Sequence, residues 1–166
     1  MDLFFFDGSG FSTVPTVPYA WQPVGTVREL PAFPSQRLNV LGFLSRDQRA
    51  FFHPVEGKVG SGQVAEAIDR FTAWRGNAKP CVLVLDNAPW HTSHAIQARR
   101  GDWAAQGVLL HYLPTYSPEL NLIEILWRKM KYHWLPLPAY TSYADLRHAV
   151  LDVLAGVGSK YQITFA

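Results

Sequence analysis

A single cysteine, Cys81, leaves the chain with no internal disulfide, and an intracellular setting is the expectation. Long apolar runs are missing too: nothing approaches the roughly 20 residues a membrane-spanning helix needs. The start, Met1-Asp2, has no basic segment of the kind that opens a signal peptide. Charge is also scarce. Asp, Glu, Lys and Arg make up 17% of the chain and the net charge is +2, so the overall balance barely argues for a nucleic-acid partner. Basic residues cluster only locally, at Arg99-Arg100 and at Arg128-Lys129-Lys131. Repeats and low-complexity segments are absent. Apolar residues are abundant at 48%, with 14% aromatic, enough for one domain across residues 1–166 with a real core.

Two apolar runs each end on an aspartate. Leu3-Phe4-Phe5-Phe6 precedes Asp7, and Cys81-Val82-Leu83-Val84-Leu85 precedes Asp86. Such runs read as buried strands. A carboxylate at the end of a buried strand lies at the rim of the sheet, where α/β proteins place their sites. Two carboxylates side by side stay ionised cheaply only when a cation neutralises them, and Mg²⁺ is the default for oxygen donors. A third acid comes from Leu113 to Trp127, LPTYSPELNLIEILW. Ser117 as N-cap and Pro118 at the first helical position predict a helix over Pro118–Trp134. Leu120, Ile123 and Trp127 would dock it on the core, with Glu124 on its flank.

The remaining elements follow in order. Gly8-Ser9-Gly10 would end the first strand, and a proline-rich excursion over residues 12–36 would hold a short strand at Thr26–Leu30. Arg37–Ser45 and Gln48–Pro54 predict an antiparallel hairpin. A helix over Gln63–Arg75, the strand Pro80–Asp86, a helix from Thr92 or Ser93 to Gln106 and the strand Val108–Leu113 come next. A last helix is expected from Thr141 or Ser142 to Leu154. This order implies an α/β domain with one mixed five-stranded sheet and helices on both faces, the ribonuclease H-like arrangement. There the first strand and the strand after the first helix are neighbours, so Asp7 and Asp86 would meet.

Other chemistries are poorly served. Ser9 stands where an aspartyl-nucleophile phosphatase needs a second aspartate. The glycines of 57–62 do not follow phosphate-loop order. His91 and His94 have no Cys or third His at zinc spacing.

Three blocks carry a family resemblance. FFFDGSGF matches a strand followed by Asp, any residue and Ser-Gly-Phe; LVLDNAPWH is close to Leu-Asp-Asn-Ala-Pro-x-His. LPTYSPELNLIEILWRKMK is close to Leu-Pro-x-Tyr-Ser-Pro-x-Leu-Asn-Pro-Ile-Glu-x-x-Trp with basic residues after it, and Trp21-Gln22-Pro23-Val24-Gly25 to Trp-x-Pro-x-Gly. Together they resemble the DDE transposases of the mariner superfamily, in particular the bacterial insertion-sequence branch. The resemblance implies a catalytic triad of Asp7, Asp86 and Glu124 holding two Mg²⁺ ions, with Mn²⁺ as a substitute. Glu119 occupies a variable position. The implied reaction is DNA cleavage and strand transfer at element ends. Asn87 and His91 would orient a ligand or contact phosphate, and Arg128, Lys129 and Lys131 would hold the DNA backbone. Leu122 replaces the family's usual Pro, and Gly8 a frequent Glu. Family members carry an N-terminal helix-turn-helix region. This sequence begins at the first catalytic strand, so a catalytic half is expected, with DNA, a second copy and a separately encoded DNA-binding half as partners in the bacterial cytoplasm. The alternatives are a non-catalytic remnant that binds DNA or partner subunits, and another ribonuclease H-like nuclease.

Overall fold

The computed structural model describes residues 1–16, 23–26, 35–76 and 79–165. Five strands form one sheet: β1 (Asp2–Ser12), β2 (Arg37–Ser45), β3 (Ala50–Glu56), β4 (Cys81–Leu85) and β5 (Val108–Tyr112). Their order is β3-β2-β1-β4-β5. The β1–β2 and β2–β3 pairs are antiparallel, and β4 runs parallel to both β1 and β5. Four α-helices complete the described fold: α1 (Ser61–Arg75), α2 (His94–Ala105), α3 (Ile123–Lys129) and α4 (Tyr143–Ala155). This is the expected ribonuclease H-like arrangement.

The sheet is apolar on both faces because alternate residues of its strands feed separate cores. Phe4, Phe6, Leu41 and Phe43 pack under α1 and α2 with Ile68, Phe71 and Trp103. Phe5, Phe11, Val40 and Leu44 pack under α3 and α4 with Ile123, Trp127 and Val150. On the first face the Phe43 and Phe71 rings stack at 4.3 Å. The last helix starts as expected, with the Ser142 hydroxyl accepting from the Asp145 amide at 3.1 Å.

Two expectations need correction. The strand containing Asp7 does not stop at Gly8-Ser9-Gly10. It runs on to Ser12, with Gly8, Ser9 and Gly10 opposite Leu41, Val40 and Asn39 of β2. A long partner strand overrides the weak strand preference of glycine. Gly10 also has a steric reason to lack a side chain, because a Cβ there would fall on the Arg37 guanidinium. Asp7 therefore sits within a strand, not at its end.

The expected helix over Pro118–Trp134 is broken into a 3₁₀ turn (Pro118–Leu120), α3 and a π-helical turn (Met130–Trp134). The break comes from Asn121. Its side chain is buried, and its Nδ2 donates to the Phe6 carbonyl of β1 at 3.0 Å. The side chain thereby holds the chain to the sheet. Ser117 makes no side-chain cap, and Leu120 is 48% exposed, not docked. Ile123 and Trp127 do dock, as expected. Residues 27–30 of the strand expected at Thr26–Leu30 lie outside the described residues, as do Trp21 and Gln22.

Candidate active site

The parallel register of β1 on β4 pairs Phe5 with Val84. Continued two residues further, it brings Asp7 level with Asp86, which leaves β4 immediately after Leu85. Glu124 enters from the opposite side, in the first turn of α3. That helix is seated on the sheet by Ile123, Leu126 and Trp127, all buried. The Asp7 and Glu124 carboxyl groups lie close enough to act on one another's charge. Burial first, then the negative charges of Glu124 and Asp86, pushes the Asp7 carboxyl up to about 8.

Asp86 is treated in the opposite way. A hydrogen bond from His91 holds its carboxyl below the usual carboxylate range, assisted by the Ala88 amide. His91 is 2% exposed, with Nδ1 2.5 Å from Asp86 Oδ1. With Asp86 ionised, that nitrogen carries the proton and donates it. The His91 ring stands edge-on to Phe6 at 5.2 Å, and its carbonyl accepts from the Tyr112 hydroxyl at 2.7 Å. His91 thus orients a carboxylate from a buried position.

Asn87 is also tied down: its Nδ2 donates to the Leu113 carbonyl, joining the exits of β4 and β5. Arg128 and Lys129 are exposed on α3. Lys131 is half-buried, its Nζ 5.6 Å from the centre of the Phe11 ring. Burial, then the nearby Arg37, pushes its ammonium group down, while Glu124 and Asp7 pull the other way. The structure therefore brings Asp7, Asp86, Glu124, His91 and Lys131 into one region.

Two residues of this region escaped the sequence reading. Asn121 lies inside the third motif block but reads as an ordinary mid-helix position. Arg37 opens a strand and carries no local signal at all. Its Nε donates to Asn39 Oδ1 at 3.1 Å.

Among the described residues no group of three His, Cys, Asp or Glu side chains is arranged to hold a metal ion. The donor chemistry nevertheless suits one. Asp7, Asp86 and Glu124 offer only oxygens, the ligands hard divalent ions prefer. The raised Asp7 marks a cluster short of positive charge.

Comparison with known proteins agrees with this fold. A curated protein of Sinorhizobium fredii, y4pE/y4sA, is 34% identical over 65 residues, covering 39% of this chain and 44% of that one. The Mos1 mariner paired-end complex with Mn superposes with a TM-score of 0.68 at 15% identity, covering 93% of this chain and 48% of that one. The catalytic core domain of BIV integrase gives 0.60 at 15% identity, covering 98% and 87%. At these identities the solved structures speak for the fold alone. The chain spans about half the length of the Mos1 protein it matches. The model of the DDE superfamily endonuclease family matches residues 2–147, and the chain belongs to that family.

Proposed function

We propose that this chain is the catalytic domain of a transposase that cleaves DNA at insertion-element ends and joins the ends to target DNA. The observation that carries the reading is the convergence of Asp7, Asp86 and Glu124 from three separate elements, with Asp7 unable to ionise at its ordinary pH. Those three would hold two Mg²⁺ or Mn²⁺ ions. When bound, the ions would activate a water or a 3′-hydroxyl and stabilise the leaving oxygen. The chain's own residues prepare that chemistry. His91 fixes the rotamer of Asp86 and keeps it ionised. Asn121 ties the start of α3 to β1 beside Asp7, setting where Glu124 lies. Lys131 would face the DNA backbone next to the carboxylates, with Arg128 and Lys129 further out as phosphate contacts. No nucleophilic side chain is required, so positioning and charge carry the rate. The supporting partner would be a second copy in the active complex.

The test is cleavage of duplex DNA and of an RNA–DNA hybrid in Mn²⁺, with Asp86→Asn and Glu124→Gln as variants. DNA cleavage by wild type and its loss in both variants, each still melting cooperatively, is the expected outcome. Preferential cleavage of the hybrid would replace the transposase reading with a ribonuclease one. A non-catalytic remnant is the second reading, favoured by the lack of a ready metal cage among the described residues. Calorimetric titration with Mn²⁺, with and without duplex DNA, separates the two: a remnant binds no ion in either case.

The role of His91 gives a separate prediction. His91→Ala should weaken Mn²⁺ binding by about 10- to 100-fold, as loss of an outer-shell partner does elsewhere. His91→Gln, which can still donate to Asp86, should recover part of it. Equal affinity in the Ala variant and wild type would show that Asp86 needs no orienting partner.

A further inference from the structure

The cleft that holds Asp7, Asp86 and His91 extends past them to residues the reaction described above leaves without a role. It has a volume of about 670 Å³ and lies between the β1–β2 extension and the loop after β4. Asp7 and Asp86 stand at one end. Its remaining walls are of a different kind. Trp90 is 47% exposed and lines the cleft. Arg37 and Lys58 also line it and supply positive charge. Arg37 is held in place: Asn39 accepts from its Nε, and Asn39 Nδ2 in turn donates to the Gly57 carbonyl at 2.7 Å. The glycines Gly8, Gly10 and Gly57 leave backbone where side chains would otherwise fill the space. At Gly10 any side chain would displace the Arg37 guanidinium.

A half-exposed indole, two cations and a glycine-lined wall, all beside the carboxylates, select a specific ligand chemistry. The cations fit a phosphodiester. The indole fits the flat face of a base. A paired duplex hides those faces inside its stack, whereas an unpaired nucleotide offers one. The volume is in the range of small-ligand pockets, too small for a second helix of DNA.

We propose that this cleft binds one unpaired DNA nucleotide flanking the scissile phosphate, with its base on Trp90 and its phosphate between Arg37 and Lys58. The placement rests on the DNA-cleaving reading of Asp7, Asp86 and Glu124. Its consequence is a preference for DNA whose strand is frayed or overhanging at the reacting position.

The test uses the full chain in Ca²⁺ and fluorescence anisotropy with labelled duplexes of one sequence, either blunt or carrying a short 3′ or 5′ single-stranded overhang. Wild type should bind one overhang form about tenfold more tightly than the blunt duplex, the effect expected of one base stacked on an aromatic ring. Trp90→Ala should bring that ratio close to one, while Trp90→Phe keeps most of it. Arg37→Ala should weaken overhang binding by about tenfold, and Arg70→Ala, on the outer face of α1, should not. A ratio near one in wild type, or one unchanged in Trp90→Ala, overturns the proposal. Cleavage in Mn²⁺ is read in parallel. Cleavage without an overhang preference removes the nucleotide site and leaves the nuclease. An overhang preference that depends on Trp90, without cleavage, leaves the site and removes the nuclease.

Discussion

Asp7→Asn should abolish DNA cleavage and, in metal-free protein, make the fold more stable at alkaline pH. The second effect is the unusual one, and its sign follows from the site. The Asp7 carboxyl is pushed from an ordinary 3.8 to about 8 by burial and by Glu124 and Asp86. The folded state therefore keeps a proton on Asp7 that the unfolded chain releases near pH 4. Stability associated with this group is full below that value, falls as pH rises and reaches its floor above about pH 8. The drop is on the order of 5 kcal/mol, a large share of the total stability of a small domain. The asparagine variant carries no such penalty. Urea denaturation in EDTA at pH 5 and pH 9 should show wild type losing several kcal/mol more than the variant between the two. Equal losses would mean that Asp7 ionises freely in the fold. Adding Mn²⁺ at pH 9 should restore wild type and leave the variant unchanged, because the ion supplies the charge that the three carboxylates lack. Calorimetry at pH 7 should then show proton release on metal binding to wild type.

Trp127→Ala should cost about 3–5 kcal/mol, the range for removing a buried aromatic side chain. Trp127 is 2% exposed, with Phe11 at 6.1 Å and Phe52 at 6.2 Å between ring centres. Its ring also lies directly over Gly42 of β2, where an added Cβ would come within 2.7 Å of it. This contact seats α3, and with it Glu124, on the sheet. Gly42→Ala should therefore destabilise by about 1–3 kcal/mol as overpacking does. It should also lower cleavage beyond what the loss of folded protein explains, because α3 has to move away from Asp7. In the Trp127→Ala background the same Gly42→Ala change should cost clearly less, the remaining close contact being Ile123 Cδ1 at 2.9 Å. A double-mutant cycle by urea denaturation measures the difference. Additive costs would show that the ring and Gly42 do not set the height of α3. Trp127→Phe should be the milder variant, since the indole Nε1 has no hydrogen-bond partner among the described residues and nothing polar is lost with it.

What could be read from the chain alone was whatever short-range chemistry decides. Cys81–Leu85 is too apolar to be anything but a buried strand, and Asp86 then has to stand at the sheet rim. The alternation of strands and helices allows few topologies, and the five-stranded mixed sheet is the one found. Glu124 on a helix docked by Ile123 and Trp127 follows from spacing. The tertiary structure decided the rest because the deciding contacts join residues far apart in sequence. Asn121 breaks a helix that local preference would continue, and its partner is the Phe6 carbonyl at the other end of the chain. Gly8 and Gly10 stay in a strand because β2 pairs with them across an excursion of more than twenty residues. His91 reads as a loop residue that would orient a ligand or contact phosphate, and only the fold buries it against Phe6 and Tyr112 with Asp86 as its partner. The Asp7 carboxyl has an ordinary acidity in any local view. Only the convergence of β1, β4 and α3 surrounds it with two like charges and withdraws much of the water that would keep it ionised.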